Sequence, residues 1–275
     1  MPITLASNNY GKSRVRIVKI TRRADRHDLA ELTVNIQFEG AFDAVHLSGD
    51  NTSVLPTDTM KNTVNALAKS WSGEQIEDFG CQLTDHFLRD NPQVSRVRIE
   101  IAQTEWTRMA PHAFTRGSEE KRTTHIAATR AAVEIESGIE NLIVLKTSGS
   151  GFEGYKKDRY TTLKETTDRI FATAITAHWT YRAPQVAFGP CWREARAVIL
   201  KTFIERHSPS VQHTAYAMGE AVLQAVEDIA EIRLSLPNKH CLLIDMAPFG
   251  LDNPNEIFVP IDEPHGLIEV SLQRR

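Results

Sequence analysis

Two polar side chains stand two residues apart where a short apolar run begins. The stretch Leu236–His240 contains a proline and leads into the apolar run Cys241–Ile244. A proline ahead of four apolar residues predicts a turn that enters a strand. On that strand Asn238 and His240 point to one side, and Lys239 points to the other. An amide beside an imidazole can hydrogen-bond a polar ligand, and the imidazole can exchange a proton near neutral pH. An ordinary polar strand edge is the alternative.

A second stretch that could bind a ligand is rich in glycine. Residues Gly149–Gly154 match the pattern G-x-G-x-x-G and follow an apolar segment. The dinucleotide-binding form of this motif requires a helix directly after the third glycine, within a parallel β-α-β unit. Here the polar stretch Tyr155–Tyr160 follows, and the surrounding pattern is antiparallel. We therefore interpret the motif as a loop that presents Phe152, and we expect no nucleotide cofactor.

The histidines and cysteines do not have the spacing of a metal site. None of the ten histidines forms His-x-His or His-x-x-x-His, and no carboxylate joins them at a known ligand spacing. The three cysteines, Cys81, Cys191 and Cys241, are scattered and form no Cys-x-x-Cys. This usage favours a reducing cytoplasm and predicts no disulfide framework. No Gly-x-Ser-x-Gly elbow is present, so nucleophilic hydrolysis has little support.

The elements that must position these residues follow one order in each half of the chain. In the first half, alternating and helical apolar spacing predicts two strands, two helices and two strands, over residues 12–39 (a hairpin), 57–70, about 74–90, Val94–Trp106 and about Thr123–Ile135. Asp58 stands where it could cap the first of these helices. The second half predicts strands and helices in the same order, over 142–145, 175–181, 190–207, 213–230, 231–236, 240–246 and 257–271. The sequence therefore predicts an α+β fold of two units, 1–137 and 138–275, each an antiparallel sheet backed by helices.

Composition limits the classes of partner. The chain has 275 residues, of which 41% are hydrophobic and 24% charged, which is typical of a soluble globular protein. A net charge of −3 gives no general attraction to nucleic acid or to an anionic membrane. No apolar run approaches the roughly 20 residues that span a bilayer, and Met1–Ser7 lacks the pattern of a signal peptide. We therefore expect a cytoplasmic protein that binds neither nucleic acid nor membrane.

Short stretches along nearly the whole chain resemble the urate oxidase family. They are Tyr10–Lys12, Thr57–Thr63, Trp106–Met109, Ser118–Arg122, Tyr160–Thr166, Asp168–Arg169, Ser210–Gln212, Leu236–His240 and Pro264–Ile268. Any one of them could arise by chance, but their joint occurrence in this order is specific. The family's fold, a tandem of β-β-α-α-β-β units called the tunnelling fold or T-fold, matches the element order given above. One departure is Cys241, where the family often has an aromatic residue, and we expect it to affect packing only.

The resemblance implies a reaction. Members of this family oxidise urate with O₂ and water to 5-hydroxyisourate and hydrogen peroxide in purine degradation, with no metal or organic cofactor. Urate is a planar, electron-rich anion that can give electrons to O₂ once a proton has been removed. The resemblance also implies a homotetramer whose active sites lie at subunit interfaces.

The resemblance implies roles for nine residues. Those carried over are the catalytic residues Lys12, Thr57 and His240, and the substrate-binding residues Thr57, Asp58, Phe152, Arg169, Val211, Gln212 and Asn238. The fork of Arg169 can make two parallel hydrogen bonds to one edge of the ring, and Gln212 suits the opposite edge. Burial and neighbouring cations can make a lysine neutral enough to accept a proton, and the resemblance implies that role for Lys12, relayed by Thr57.

Two other functions remain compatible with this pattern. A pterin or guanine-nucleotide enzyme of the same fold is one, although many of those enzymes hold zinc through histidines. A non-catalytic purine-binding protein is the other; it would use Arg169 and Gln212 but would not need Lys12, Thr57 and His240.

Overall fold

Residues 3–275 are described in the computed structural model of this protein. Met1 and Pro2, which begin the stretch tested above for a signal peptide, lie outside the described residues. The chain divides into two compact units. The first consists of Met1–Gly138 with Thr180–Trp192, and the second of Ile139–Trp179 with Arg193–Arg275. Among residues 3–275, no helix is both long enough and apolar enough to cross a membrane.

The first unit is an antiparallel sheet covered by helices. Its elements are β1 (Tyr10–Arg22), β2 (His27–Gly40), α1 (Asp43–Leu47), α2 (Thr57–Ser70), α3 (Ile76–Asp90), β3 (Val94–Thr104), β4 (Thr107–Ala110), β5 (Ala113–Thr115) and β6 (Lys121–Ala128). The strand order is β1-β2-β3-β6, and β4 and β5 form a separate hairpin. Apart from α1 and that hairpin, the order is the predicted β-β-α-α-β-β.

Helical spacing explains how α2 and α3 cover this sheet. Met60 and Val64 of α2 are fully buried, as are Phe79 and Leu83 of α3. Side chains four positions apart lie on one face of a helix, so each helix turns one apolar stripe inward. Burial of one such side chain contributes about 1.5–3 kcal/mol. On α3 the approach is close, since a Cβ on Gly80 would lie 2.3 Å from the Ile126 side chain.

One predicted strand of the first half is two strands. The prediction of a single strand over Thr123–Ile135 is wrong, because β6 ends at Ala128 and β7 (Val133–Lys146) begins after a turn. The predicted strand at 142–145 is the end of β7. The turn has no glycine or proline to signal it. Its Arg130 guanidinium donates to the carbonyls of Val94, Leu88 and Asn91, at 2.6, 2.8 and 3.0 Å, so distant contacts hold the turn.

The second half of the chain repeats the order of elements. They are β7, β8 (Phe171–Tyr181), α4 (Phe188–Glu205), α5 (Val211–Ala225), β9 (Ile229–Leu243), a short 3₁₀ turn (Ala247–Phe249) and β10 (Phe258–Gln273). The strand order is β7-β8-β9-β10, and β9 and β10 are antiparallel. The α+β class predicted from the sequence is confirmed.

Strand β9 continues through Pro237, so the predicted turn and the separate strands at 231–236 and 240–246 are wrong. Pro237 pairs in register with Leu267 of β10. Its carbonyl oxygen accepts a hydrogen bond from the Thr173 hydroxyl of β8 at 2.9 Å. Proline removes one backbone donor from a strand. Here the strand keeps its acceptor and its register through Asn238, and β9 continues past His240 to Leu243.

Candidate active site

A cavity of about 500 Å³ in the second unit contains four of the predicted site residues in its lining. Phe152 and Arg169 come from the segment between β7 and β8, and Asn238 and His240 come from β9. Leu163 and Phe258 add apolar surface to the same cavity. The lining therefore combines an aromatic ring, a guanidinium, an amide and an imidazole.

The glycine-rich stretch is a loop, as interpreted from the sequence, and no helix follows Gly154. Backbone hydrogen bonds connect this loop to two other segments of the chain, one at Ser208 and one at Arg169. Gly151 N donates to Ser208 O at 2.8 Å and Ser208 N to Gly149 O at 2.9 Å, while Arg169 N donates to Ser150 O at 2.7 Å. Gly149 has φ +79°, a conformation that favours glycine. The loop thus has a fixed position beside the chain at residues 169 and 208.

Phe152 extends from this loop into the cavity. Its backbone forms two hydrogen bonds with Thr166, at 2.7 and 3.2 Å. Its ring stacks on Tyr155, with ring centroids 4.8 Å apart and an angle of 13° between planes. The Arg169 guanidinium carbon lies 5.3 Å from the Phe152 centroid. The backbone bridge and the Tyr155 ring together fix the orientation of the Phe152 face.

Arg169 has unused hydrogen-bonding capacity. Its Nε is buried and has no hydrogen-bond partner among the described residues. Burial lowers the pKa of Arg169 from its ordinary value, although a guanidinium remains charged at neutral pH. A buried guanidinium N–H without an acceptor is costly, so this geometry suits an anion that supplies acceptors.

Asp168 is part of the same structure, and sequence reasoning gave it no role. Its carboxylate accepts hydrogen bonds from Ser148 Oγ at 2.7 Å, from Gly149 N at 2.7 Å and from Ser150 N at 3.3 Å. These bonds, with that from Ser148 the largest cause, hold the pKa of Asp168 below its ordinary value. Its partners are mostly backbone groups, which no side-chain pattern in the sequence specifies.

Asn238 and His240 have free side chains on β9. In the part of the chain that the structure describes, neither side chain makes a hydrogen bond or ion pair. Lys239 and Cys241, which strand alternation places on the opposite face of β9, are also among the residues that line the cavity. Strand alternation assumes a regular ladder, whereas the register of β9 with β10 shifts between Ile261 and Gly266. In that irregular stretch Lys239 pairs with Asp262 at 2.6 Å.

Val211 and Gln212 begin α5 and do not line this cavity. The helix is capped by Ser210, whose side chain accepts from His213 N at 3.1 Å. Val211 is buried and Gln212 is exposed. The first backbone N–H groups of a helix have no partner within the helix and favour anions. Ser208, which is bonded to the glycine-rich loop, lies three residues before Val211.

The remaining predicted site residues, Lys12, Thr57 and Asp58, belong to the first unit. Lys12 lies on β1 opposite Ile36, where the ladder shifts before Val15. A Cβ on the preceding Gly11 would lie 1.8 Å from Ile36 O, so glycine is required for this close approach.

Thr57 is the first residue of α2, and Pro56 is the residue that precedes the helix. The expectation that Asp58 caps α2 is wrong, because Asp58 lies within the first turn. It pairs there with Lys61. The pKa of Asp58 is lowered, mainly by Lys61, and the charge of Lys12 contributes. The Tyr10 hydroxyl accepts from Leu55 N at 3.0 Å. This bond connects the start of β1 to the chain that leads into α2.

Comparison with known proteins gives a consistent result. The family model described as Uricase matches residues 8–127 and 135–269. A uricase from Arthrobacter globiformis is 44% identical over 274 residues, which are 99% of this chain and 90% of that protein. The chain belongs to the uricase family. Family membership makes it an oxidoreductase that acts on urate.

Other uricases extend this similarity. The uricase of Dictyostelium discoideum is 35% identical over 280 residues, 98% of each protein. The crystal structure of the Arthrobacter globiformis uricase superposes with a TM-score of 0.95, covering 100% of this chain and 96% of that one. A urate oxidase structure from Bacillus sp. TB-90 is 21% identical, with a TM-score of 0.85 over 97% of this chain and 100% of that one. The uricase fold, a tandem of T-fold units, is therefore shared across distant sequences.

The three cysteines of this uricase-family chain have different surroundings. Burial raises the pKa of the Cys81 thiol to about 12, and Cys191 is buried. Cys241 is half-buried in the cavity lining.

Proposed function

We propose that this chain oxidises urate to 5-hydroxyisourate without a cofactor, through the residues that its sequence predicts. They are Lys12, Thr57, Asp58, Phe152, Arg169, Val211, Gln212, Asn238 and His240. One observation carries the proposal. The charged side chain of Arg169 has a buried Nε without a partner and lies over the face of Phe152. A flat anion that stacks on the ring would supply the missing acceptors, and urate is such an anion.

In this proposal the ring of urate is held at its edges and on one face. The Arg169 fork donates two parallel hydrogen bonds to one edge, while the Gln212 amide meets the opposite imide edge. The backbone N–H of Val211, at the start of α5, donates to a urate oxygen. Phe152 stacks on the ring, and its support by Tyr155 reduces the entropy lost on binding.

The residues that transfer protons then start the oxidation. Lys12 accepts a proton, Thr57 relays it through its hydroxyl, and His240 adjusts the proton balance. Deprotonated urate gives two electrons to O₂, which is reduced to hydrogen peroxide. The two protons lost by urate complete the peroxide. One water molecule then adds to the oxidised ring: its OH forms the new bond to carbon, and its remaining proton returns to a ring nitrogen. Asn238 and Thr57 hold O₂ and then water over the ring plane.

We further propose a cytoplasmic homotetramer, with T-fold units 1–137 and 138–275 and with each site shared between subunits. Lys12, Thr57 and Asp58 of one subunit would meet the second unit of its neighbour. Uncovered apolar side chains support association. Val18 and Ile20 on β1 are 62% and 47% exposed, and Leu267 on β10 is 58% exposed. Edge strands with apolar side chains need a partner in solution.

The first expected result is activity without added metal or organic cofactor. Protein dialysed against a chelator, and showing no flavin absorbance, should consume urate and O₂ in equal amounts and release the same amount of peroxide. Urate absorbance, an oxygen electrode and a peroxide assay give the three quantities. If activity disappeared with the chelator and returned with zinc, the proposal would fail and a cyclohydrolase-like enzyme would be favoured.

A further inference from the structure

We propose that Asp168 is a positioning residue for urate, which acts through Phe152 and Arg169 by closing the loop that carries them. The inference rests on the proposed function, and it adds a residue to which neither the sequence patterns nor the comparisons give a role. The loop leaves β7 after Lys146 and returns at β8. Phe152 lies near its beginning and Arg169 near its end, so their separation depends on what joins the two ends.

Asp168 joins the two ends of the loop through hydrogen bonds to both oxygens of its carboxylate. One oxygen accepts from the backbone N–H groups of Gly149 and Ser150, and the other accepts from the Ser148 hydroxyl. The Asp168 carbonyl oxygen accepts from the Thr166 hydroxyl at 2.7 Å. The next residue, Arg169, donates its backbone N–H to Ser150 O. Hydrogen bonds to a charged acceptor are stronger than those between neutral groups.

The bonded groups lie directly next to the binding side chains. Ser150 is two residues before Phe152, and Asp168 precedes Arg169. Without the carboxylate, two backbone donors and a hydroxyl would lose their acceptor, and the loop would have to turn them toward water. Such a movement would change the orientation of Phe152 relative to Arg169. A displacement of about 1 Å in the groups that position a substrate can greatly reduce the efficiency of the reaction.

The test compares Asp168→Ala and Asp168→Asn with a matched control, Asp158→Asn. Asp158 lies in the same segment, but its exposed carboxylate serves only its own turn, through Tyr160 N at 2.9 Å and Thr161 Oγ1 at 3.0 Å. Urate binding is measured under nitrogen, where no turnover occurs, and KM and kcat are measured under air. We expect Asp168→Ala to raise the Kd and KM for urate about five- to tenfold, with a smaller change in kcat. Asp168→Asn, whose amide oxygen still accepts, should fall between Ala and wild type.

A second measurement does not depend on urate. Trypsin should cleave Asp168→Ala faster than wild type after Lys156 and Lys157, in the loop. The control Asp158→Asn should be cleaved at the wild-type rate after Lys164, a bond whose neighbouring residues this substitution does not change. If wild-type protein failed to oxidise urate, the proposed function would fail, while faster cleavage would still support the role of Asp168 in closing the loop. Wild-type cleavage rates, wild-type urate affinity, or a fall in kcat alone in Asp168→Ala would overturn the inference.

Discussion

A mixture of two inactive variants, Lys12→Ala and Arg169→Ala, is expected to recover roughly a quarter of wild-type activity when the chains are unfolded and refolded together. Lys12 belongs to the first unit and Arg169 to the second. If each site takes its two halves from different, randomly paired chains, each half is intact with a probability of about one half. About a quarter of the sites then receive two intact halves. The measurement is urate consumption per site, with mass analysis of the oligomers.

A control mixture distinguishes sharing from other kinds of rescue. Lys12→Ala and Thr57→Ala both lie in the first unit, so every mixed site would receive a defective half. That mixture should stay inactive. If the Lys12→Ala and Arg169→Ala mixture also stayed inactive although mixed oligomers had formed, each chain would contain its own complete site.

Replacement of Arg169 by lysine is expected to reduce kcat/KM for urate about 30-fold or more. Lysine keeps the charge but loses the planar fork, so acceptors of the urate ring would be left unpaired. Truncation of one partner of a buried charged pair costs about 2–5 kcal/mol. Light scattering should show an unchanged assembly, since lysine keeps the positive charge at this position.

Arg159→Lys is the matched control for this substitution. Arg159 lies in the same loop segment, is exposed, and stacks only over Tyr160, with its guanidinium carbon 4.5 Å from the ring centroid. Its replacement should leave urate kinetics unchanged. Wild-type kinetics for Arg169→Lys would exclude Arg169 from the binding site.

Helices and regular strands were predictable because their apolar spacing is local. The helix expected over 57–70 is α2, Thr57–Ser70, whose buried face comes from Met60, Val64 and Ala68. The turn between β6 and β7 was not predictable, because Arg130 holds it through carbonyls almost forty residues away. The length of β9 was mispredicted because the loss of one donor at Pro237 does not end a strand that keeps its other contacts.

The candidate site was predictable only in part. Alternation along a strand places Asn238 and His240 together, and both line the cavity with Phe152 and Arg169. Alternation alone does not predict that Lys239 and Cys241 also belong to the cavity lining. The ladder with β10 shifts opposite Lys239, between Ile261 and Gly266. The role of Asp168 was not predictable, because its hydrogen-bond partners are mostly backbone groups. The roles of Lys12, Thr57 and Asp58 come from family resemblance alone and stay predictions.

The surroundings of the three thiols determine how this protein can be labelled or immobilised. With its pKa raised to about 12, Cys81 has on the order of one thiolate in 10⁵ molecules at neutral pH. Cys191 is buried. A small maleimide or iodoacetamide therefore reacts first at Cys241, inside the cavity lining. Conjugation at Cys241 would attach the label to a residue of the cavity lining, so a tether is better placed on a cysteine introduced far from β9.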